Sequence, residues 1–143
     1  AYSFERCLQW LKHAMPECQS DPIKRCLLLN NMGIYHRKNR DPEKAVRFYE
    51  QALQECSASW LRGRIFANWG VLEHHRGNLV AARRLYQDAL NCCSQPVEDE
   101  KAVARLCINF ARLHIQQDRT VQAETLLRRA RGLVARYPDD AML

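Results

Sequence analysis

Apolar residues recur along the chain at the three- and four-residue spacing that places them on one face of an α-helix. They are Leu28, Leu29, Met32 and Tyr35 in one stretch, and Ile65, Phe66, Trp69 and Leu72 in a later one. This pattern predicts amphipathic helices of about 17 residues that end near Lys38, Arg76 and Gln117. A second amphipathic stretch follows each of them after a short turn. The chain is therefore expected to fold as successive pairs of helices.

Capping signals mark the start of the second helix in each pair. Asp41 offers a side-chain acceptor at the N-cap, and Pro42 suits the first helical position. Asn78 and Thr120 are assigned the same capping role in the later pairs. Gly77 is expected to adopt the left-handed backbone conformation that ends the preceding helix.

Small residues repeat at fixed offsets in all three helix pairs. Gly33, Gly70 and Ala111 lie 37 and then 41 residues apart, and each follows an asparagine by two residues. Twelve residues after each of them begins a pattern of alanine, a large residue and alanine, namely Ala45, Tyr49 and Ala52, then Ala82, Tyr86 and Ala89, then Ala123, Leu127 and Ala130. Small residues at facing positions allow two helices to approach closely, and the tyrosines are expected to fill the space beneath the next unit. Such a repeated unit is typical of a stacked solenoid.

At these positions the chain resembles the tetratricopeptide repeat family. All three copies match the small positions of that family's 34-residue frame, whereas His36, Glu73 and His114 replace an expected aromatic. The longer pitch is similar to that of kinesin light chain and LGN-type arrays. The resemblance covers about residues 22–137. It implies an all-α, right-handed superhelical solenoid of antiparallel helix pairs, with about seven helices.

One domain is expected over residues 1–143, with repeats at 22–57, 59–94 and 97–137. Residues 1–20 are interpreted as the second helix of a truncated repeat, because Phe4 and Cys7 match the offset of Tyr49 and Ala52. Tyr137 resembles the start of another unit. We therefore expect a fragment of a longer array, whose uncapped ends leave self-association possible.

Composition narrows the class of protein further. The net charge is +6, no apolar run approaches the ~20 residues that span a membrane, and no signal peptide is visible. The seven cysteines are odd in number and form no CxxC pair, so they are interpreted as small buried residues in a reducing compartment. These features predict an intracellular, cytoplasmic protein without membrane association, with the nucleus left open.

Motifs for catalysis or metal binding are missing from the sequence. It contains no phosphate-binding loop, nucleophile elbow or zinc spacing. His36 and His114 occupy equivalent repeat positions and are expected to pack between helices. We therefore predict a protein that is not an enzyme and that needs no cofactor and no metal.

The first helix of each pair is expected to line a concave groove, as the family resemblance implies. Counted from Cys26, Gly63 and Ala104 as position 1, positions 2, 6, 9 and 13 share one helix face. The twelve candidate peptide-binding residues are Leu27, Asn31, Ile34, Lys38, Arg64, Asn68, Val71, His75, Arg105, Asn109, Arg112 and Gln116.

Two features of this set suggest a ligand. The recurring Asn31, Asn68 and Asn109 offer amide donors and acceptors that can hold the backbone of an extended chain. The same positions carry the cations Lys38, Arg64, Arg105 and Arg112 and no carboxylate, which suits acidic side chains. Leu27, Ile34 and Val71 are expected to form an apolar patch for an anchor residue. The hypothesis is a scaffold that binds an extended, acidic segment of a partner protein.

Other interpretations stay open at this point. The asparagines can be a habit of the fold that serves packing and solubility. The segment from Ala82 to Tyr86 resembles helical repeats of RNA-processing complexes, which makes nucleic acid an alternative partner. The chain can also be the targeting module of an enzyme whose catalytic domain lies elsewhere. The carboxylate clamp of chaperone-binding relatives is matched only at Asn68 and Arg105.

Overall fold

The computed structural model describes residues 21–93 and 99–135, together with residues 6, 9, 12–14 and 16. Within the two long ranges the chain forms six helices and no strand: α1 (Pro22–Lys38), α2 (Pro42–Glu55), α3 (Ser59–His75), α4 (Leu79–Asn91), α5 (Glu100–Gln116) and α6 (Thr120–Val134). The described residues between 6 and 16 are also helical. The unit predicted to start at Tyr137 lies outside the described residues, as does most of the segment interpreted as a truncated repeat.

The helices pack as three antiparallel pairs, α1 with α2, α3 with α4, and α5 with α6. Contacts between pairs are fewer. Each second helix contacts the first helix of the next pair, α2 with α3 and α4 with α5, and the first helices contact one another, α1 with α3 and α3 with α5. The first helices therefore lie side by side on one face of the stack, and that shared face is the concave face named below. This arrangement confirms the predicted all-α solenoid of antiparallel pairs.

The turns within the pairs follow one backbone pattern. A residue with positive φ precedes each N-cap: Arg40 before Asp41, Gly77 before Asn78, and Asp118 before Arg119. The Asp41 side chain accepts a hydrogen bond from the Lys44 amide, and Pro42 opens α2, as predicted. Gly77 has φ +81°, which confirms the left-handed turn.

Of the other two predicted caps, Asn78 is confirmed in position only and Thr120 is wrong. Asn78 occupies the N-cap of α4, but its side chain makes no capping hydrogen bond. Its amide instead donates to the carboxylate of Glu73, a buried group that also accepts from Arg76. In the third pair the N-cap is Arg119, and Thr120 is already the first residue of α6. The repeat frame itself explains this error, because each N-cap lies four residues before the first alanine of the second helix.

The small residues of the repeat do allow close helix contact. A Cβ atom at Gly70 would lie 2.7 Å from the ring of Tyr86, and one at Gly33 would overlap the ring of Tyr49. Both tyrosines are fully buried. The third pair departs from this pattern, because Leu127 at the equivalent position is 42% exposed while Leu126 joins the core.

The two histidines at equivalent positions pack inside the stack, as predicted. His36 stacks on Phe48 with 5.2 Å between ring centroids, and His114 stacks on Phe110 at 4.5 Å. Burial lowers the pKa of both imidazoles below the ordinary value. They belong to the core rather than to the concave face.

Candidate peptide-binding groove

A cavity of about 580 Å³ opens on the concave face between α1, α3 and α5. Its lining includes seven of the twelve residues selected from the sequence: Asn31, Ile34, Arg64, Asn68, Val71, Arg105 and Asn109. The structure therefore brings together positions 2, 6 and 9 of the first helices, apart from Leu27 and Arg112. This cavity is called the groove below.

The remaining five candidates lie outside the groove. Lys38, His75 and Gln116 are the last residues of α1, α3 and α5, so position 13 lies at the helix ends. These three and Arg112 are exposed. Leu27 is half-buried and packs against the core between the first two pairs, so it does not join Ile34 and Val71 in the apolar lining.

The three asparagines have different surroundings. Asn68 donates from Nδ2 to Oδ1 of Asn30 at 3.0 Å, a bond that joins α3 to α1. Asn30 is only 4% exposed and also lines the groove. Asn31 is exposed and Asn109 is half-buried, and neither side chain makes a hydrogen bond within the described part of the chain. The side-chain amides of Asn31 and Asn109 therefore have no partner within the described residues, whereas Asn68 holds two helices together.

The sequence interpretation missed Asn30. Its equivalents at position 5 are Ala67 in the second copy and Ile108 in the third, so a polar residue replaces apolar ones only in the first copy. That break in the repeat was the available signal. A buried amide needs a partner, and Asn68 across the helix interface supplies it.

The groove contains a carboxylate that lies outside the twelve selected positions. Asp99, which also lines it, accepts a hydrogen bond from Nη2 of Arg64 at 2.7 Å. Asp99 is the N-cap of α5 and accepts from the Ala102 amide at 3.1 Å. Because it precedes the helix, counting positions along the helix face could not include it. Arg64 is therefore already paired, and its guanidinium also lies 5.6 Å from the ring centroid of Trp60.

The electrostatics of this pair favour the charged carboxylate. Burial raises the pKa of Asp99, but the hydrogen bonds from Arg64 and Ala102 and the nearby charge of Arg105 outweigh it, so the pKa lies below its ordinary value. Asp99 thus stays ionised at neutral pH and neutralises one of the three arginines in the lining, which are Arg37, Arg64 and Arg105. The groove lining therefore keeps a net positive charge.

Arg37 is a second groove residue that the position count missed. It lies one residue before Lys38 at position 12, is half-buried, and lines the groove. Unlike Arg64, the arginines Arg37, Arg105 and Arg112 have no ion pair within the described residues. These three are the cations that remain available to a ligand.

Trp60, Cys92 and Cys93 are further lining residues that sequence reasoning did not assign. Trp60 is 38% exposed on the first turn of α3. Cys92 and Cys93 follow α4, and burial raises the pKa of both thiols, which makes them poor nucleophiles at neutral pH. The described residues contain no cluster of His, Cys, Asp and Glu that suits a metal ion.

None of the helices in the described part of the chain combines the length and the apolar character that crossing a bilayer requires.

Comparisons with known proteins agree with the helix pairs. Two tetratricopeptide repeat family models match the chain, one over residues 61–134 and the other over residues 26–58. The Photosystem I assembly protein Ycf3 of Synechococcus sp. (strain CC9902) is 32% identical over 83 residues, which cover 55% of this chain and 48% of that protein. The Ycf3 protein of Parasynechococcus marenigrum (strain WH8102) gives the same values. The chain spans about half the length of the curated relatives it matches.

A solved structure has a similar fold. The crystal structure of BtubC (BKLC) from P. vanneervenii superimposes with a TM-score of 0.77 at 17% sequence identity. The match covers 92% of this chain and 57% of that one. At this identity the likeness supports the solenoid fold alone.

Proposed function

Because the chain belongs to the tetratricopeptide repeat family, we propose that it is a non-catalytic scaffold whose groove binds an extended, acidic segment of a partner protein. Repeats of this family imply protein–protein interaction. The Ycf3 relatives are named as assembly proteins, and a role in holding other proteins fits that name.

The observation that carries the proposal is the shared position of three asparagines in one cavity. Asn31, Asn68 and Asn109 come from three successive first helices and line the same groove. Each amide can pair with both the N–H and the C=O of a peptide group. The groove volume of about 580 Å³ is within the range of known ligand pockets. A strand-like segment that crosses the three helices would meet one amide per helix.

The charges and the apolar side chains of the lining indicate which kind of peptide segment suits the groove. Arg37 and Arg105 lack an ion pair in the described structure, so they are suited to acidic side chains. Ile34 and Val71 lie half-buried in the same lining and can receive one apolar anchor. The proposed ligand therefore combines acidic residues with an apolar residue in an extended conformation.

The direct test is fluorescence anisotropy with a labelled peptide of alternating glutamate and leucine. The informative variant is Asn31→Ala with Asn109→Ala, because Asn68 also bridges α3 to α1 and its loss would perturb the fold. Asn91→Ala, on the exposed end of α4, is the matched control. We expect the double variant to bind about tenfold or more weakly, since about 1 kcal/mol is lost per amide contact.

Three results would count against the binding of an acidic peptide in the groove. One is equal binding by wild type and the double variant when both show unchanged circular dichroism and melting. Another is equal binding of a lysine–leucine peptide of the same length. The third is tighter binding of single-stranded RNA with a steep linear salt dependence, which would favour the nucleic-acid alternative.

A further inference from the structure

One repeat position holds the turn within each helix pair, and its side chain is buried in all three copies. The residues at this position are His36, Glu73 and His114. In each pair its backbone carbonyl accepts a hydrogen bond from the amide of the next N-cap residue, which is Asp41 at 2.9 Å, Asn78 at 2.9 Å and Arg119 at 2.8 Å. A change of charge on this side chain therefore takes place next to the turn that joins the two helices.

The second pair satisfies this position with hydrogen bonds. The Glu73 carboxylate accepts from Nη1 of Arg76 at 3.2 Å and from the side-chain amide of Asn78. Arg76 also lies 3.8 Å from the carboxylate of Glu43 on α2. The buried carboxylate of the second copy thus has a cation and two hydrogen-bond donors, as a buried charge requires.

The two histidines are not satisfied in this way. Both side chains are 6% exposed, and the Nδ1 atom of each is buried without a hydrogen-bond partner among the described residues. A neutral imidazole can hold its hydrogen on Nε2 and leave Nδ1 without one, whereas an imidazolium carries a hydrogen on both nitrogens. Protonation would therefore bury an N–H group that has no acceptor, together with a positive charge.

The charged groups near His114 are cations. Arg119, from the turn that follows α5, and Arg83, from α4, both disfavour a second positive charge there. The ring stacks on Phe110 with 4.5 Å between centroids, and the attraction of a charged ring for the phenylalanine face offsets part of the cost of protonation. Burial and the two arginines nevertheless hold the pKa of His114 below its ordinary value.

The charges near His36 are of both signs. Lys44 of α2 and Lys12 disfavour its protonation, whereas the carboxylate of Asp41 favours it. That carboxylate also lies 3.6 Å from the Lys44 ammonium and accepts from the Lys44 amide. The ring of His36 stacks on Phe48 at 5.2 Å. Burial outweighs the attraction of Asp41, so the pKa of His36 is lowered as well.

We propose that His36 and His114 form an acid-sensitive device that loosens the first and third helix pairs and spares the second. An imidazole in an unfolded segment takes up a proton below a pH of about 6.5, whereas the packed ring resists it. The stability of these two turns is therefore complete above that pH and falls as the pH drops towards the folded-state pKa. Because α1 and α5 both contribute to the groove lining, the device would alter the concave face in acid, whatever the groove binds.

Hydrogen exchange followed by NMR tests the device in the unaltered protein. The amides of Asp41 and Arg119 report on the two histidine turns, and the Asn78 amide, which bonds to Glu73, is the matched internal control. After correction for intrinsic exchange, the opening constants of Asp41 and Arg119 should rise about threefold or more between pH 7.5 and pH 5.5. The opening constant of Asn78 should change less than about twofold. An equal rise at all three amides would make the acid effect global and overturn the device.

Substitution tests whether the imidazoles are responsible. His36→Phe with His114→Phe keeps an aromatic ring at each turn but removes the titratable group, and His75→Gln, at the exposed end of α3, is the control. Urea unfolding is measured from pH 7.5 to pH 5.0. In acid the unfolding constants of wild type and control should rise at least about threefold more than that of the double variant. Parallel pH curves for wild type and the double variant would overturn the proposal.

Single variants keep the test decisive if the double variant fails to fold. His36→Phe should abolish the acid response of the Asp41 amide and leave that of Arg119 in place, and His114→Phe should do the reverse. An acid response that persists at both amides in both single variants would assign the effect to other groups and reject the device.

Discussion

The two ends of the concave face carry similar arginines in different electrostatic states. At one end Arg64 donates to Asp99 and lies over Trp60. At the other, Arg37 and Arg112 have no ion pair among the described residues. A charge count along the first helices treats these arginines alike. The sign of the charge in the groove therefore follows from the repeat pattern, whereas the availability of each cation depends on residues outside that pattern.

Displacing the ring of Tyr86 is expected to have the largest effect. Gly70→Ala places a methyl group 2.7 Å from the Tyr86 ring, and such overpacking is expected to cost about 1–3 kcal/mol of unfolding free energy. The displaced ring should also disturb the contact of the Tyr86 hydroxyl with His74 and the position of α3, so peptide affinity should fall while the Arg64–Asp99 pair persists. Urea denaturation measures the stability, and anisotropy measures the affinity.

Gly132→Ala is the control for this substitution. Nothing lies within 4 Å of a Cβ at Gly132, which is inside α6, so alanine should stabilise the protein by about 0.5–1 kcal/mol. If Gly70→Ala were as stable as Gly132→Ala, the close contact between glycine and tyrosine would not be what positions the ring.

A second variant tests the middle of the groove. Asn68→Ala leaves Asn30 buried without the hydrogen bond it now accepts, at a cost of about 1–2 kcal/mol. Asn109→Ala, at the equivalent position of the next pair, should be nearly neutral for stability. Thermal unfolding followed by circular dichroism compares the two. Equal losses would mean that the asparagines serve the fold in every copy.

A third variant should free Arg64 from its ion pair, as Arg37 and Arg112 already are within the described residues. Asp99→Asn removes the carboxylate that pairs with Arg64, while asparagine still caps α5. Affinity for the glutamate–leucine peptide should rise about threefold to fivefold, as expected for release of an exposed ion pair. Asp41→Asn, the same change at the N-cap of α2 outside the groove, is the control. Unchanged or weaker binding by Asp99→Asn would show that Asp99 does not compete with the ligand.

The smallest expected effect is the pH dependence of the stability that the Arg64–Asp99 pair contributes. Because the folded-state pKa of Asp99 is lowered, its contribution to stability is present above the unfolded pKa of about 3.9 and is lost as the pH falls through the folded value. Both side chains are more than a third exposed, so this contribution is only a fraction of about 1 kcal/mol. The difference in unfolding free energy between wild type and Asp99→Asn should therefore shrink in acid. A difference that grows as the pH falls would contradict this sign.

Much of the fold follows from local rules that the sequence displays. The helix pairs, the turn at Gly77 and the cap at Asp41 needed only apolar periodicity and capping chemistry. The contacts of Tyr49 and Tyr86 with glycines followed from residue size at facing positions. Thr120 was misassigned because its capping chemistry was preferred over the repeat frame, which places the N-cap at Arg119.

The site was less predictable because its determining contacts join distant residues. Positions 2, 6 and 9 of each helix face did identify most of the groove-lining asparagines and arginines. The Arg64–Asp99, Asn68–Asn30 and His74–Gln116 contacts span 35 to 42 residues. Asp99 precedes its helix, and Asn30 replaces an apolar residue in only one copy of the repeat. The spacing of residues along a single helix therefore cannot predict these contacts.

An NMR titration of the isotope-labelled chain with the glutamate–leucine peptide would locate the bound segment directly. We expect saturable shifts in the side-chain amides of Asn31 and Asn109 and in the guanidiniums of Arg37 and Arg112. Signals from the exposed residues of α2, α4 and α6 should stay in place. Shifts confined to those outer helices would contradict a ligand site on the concave face.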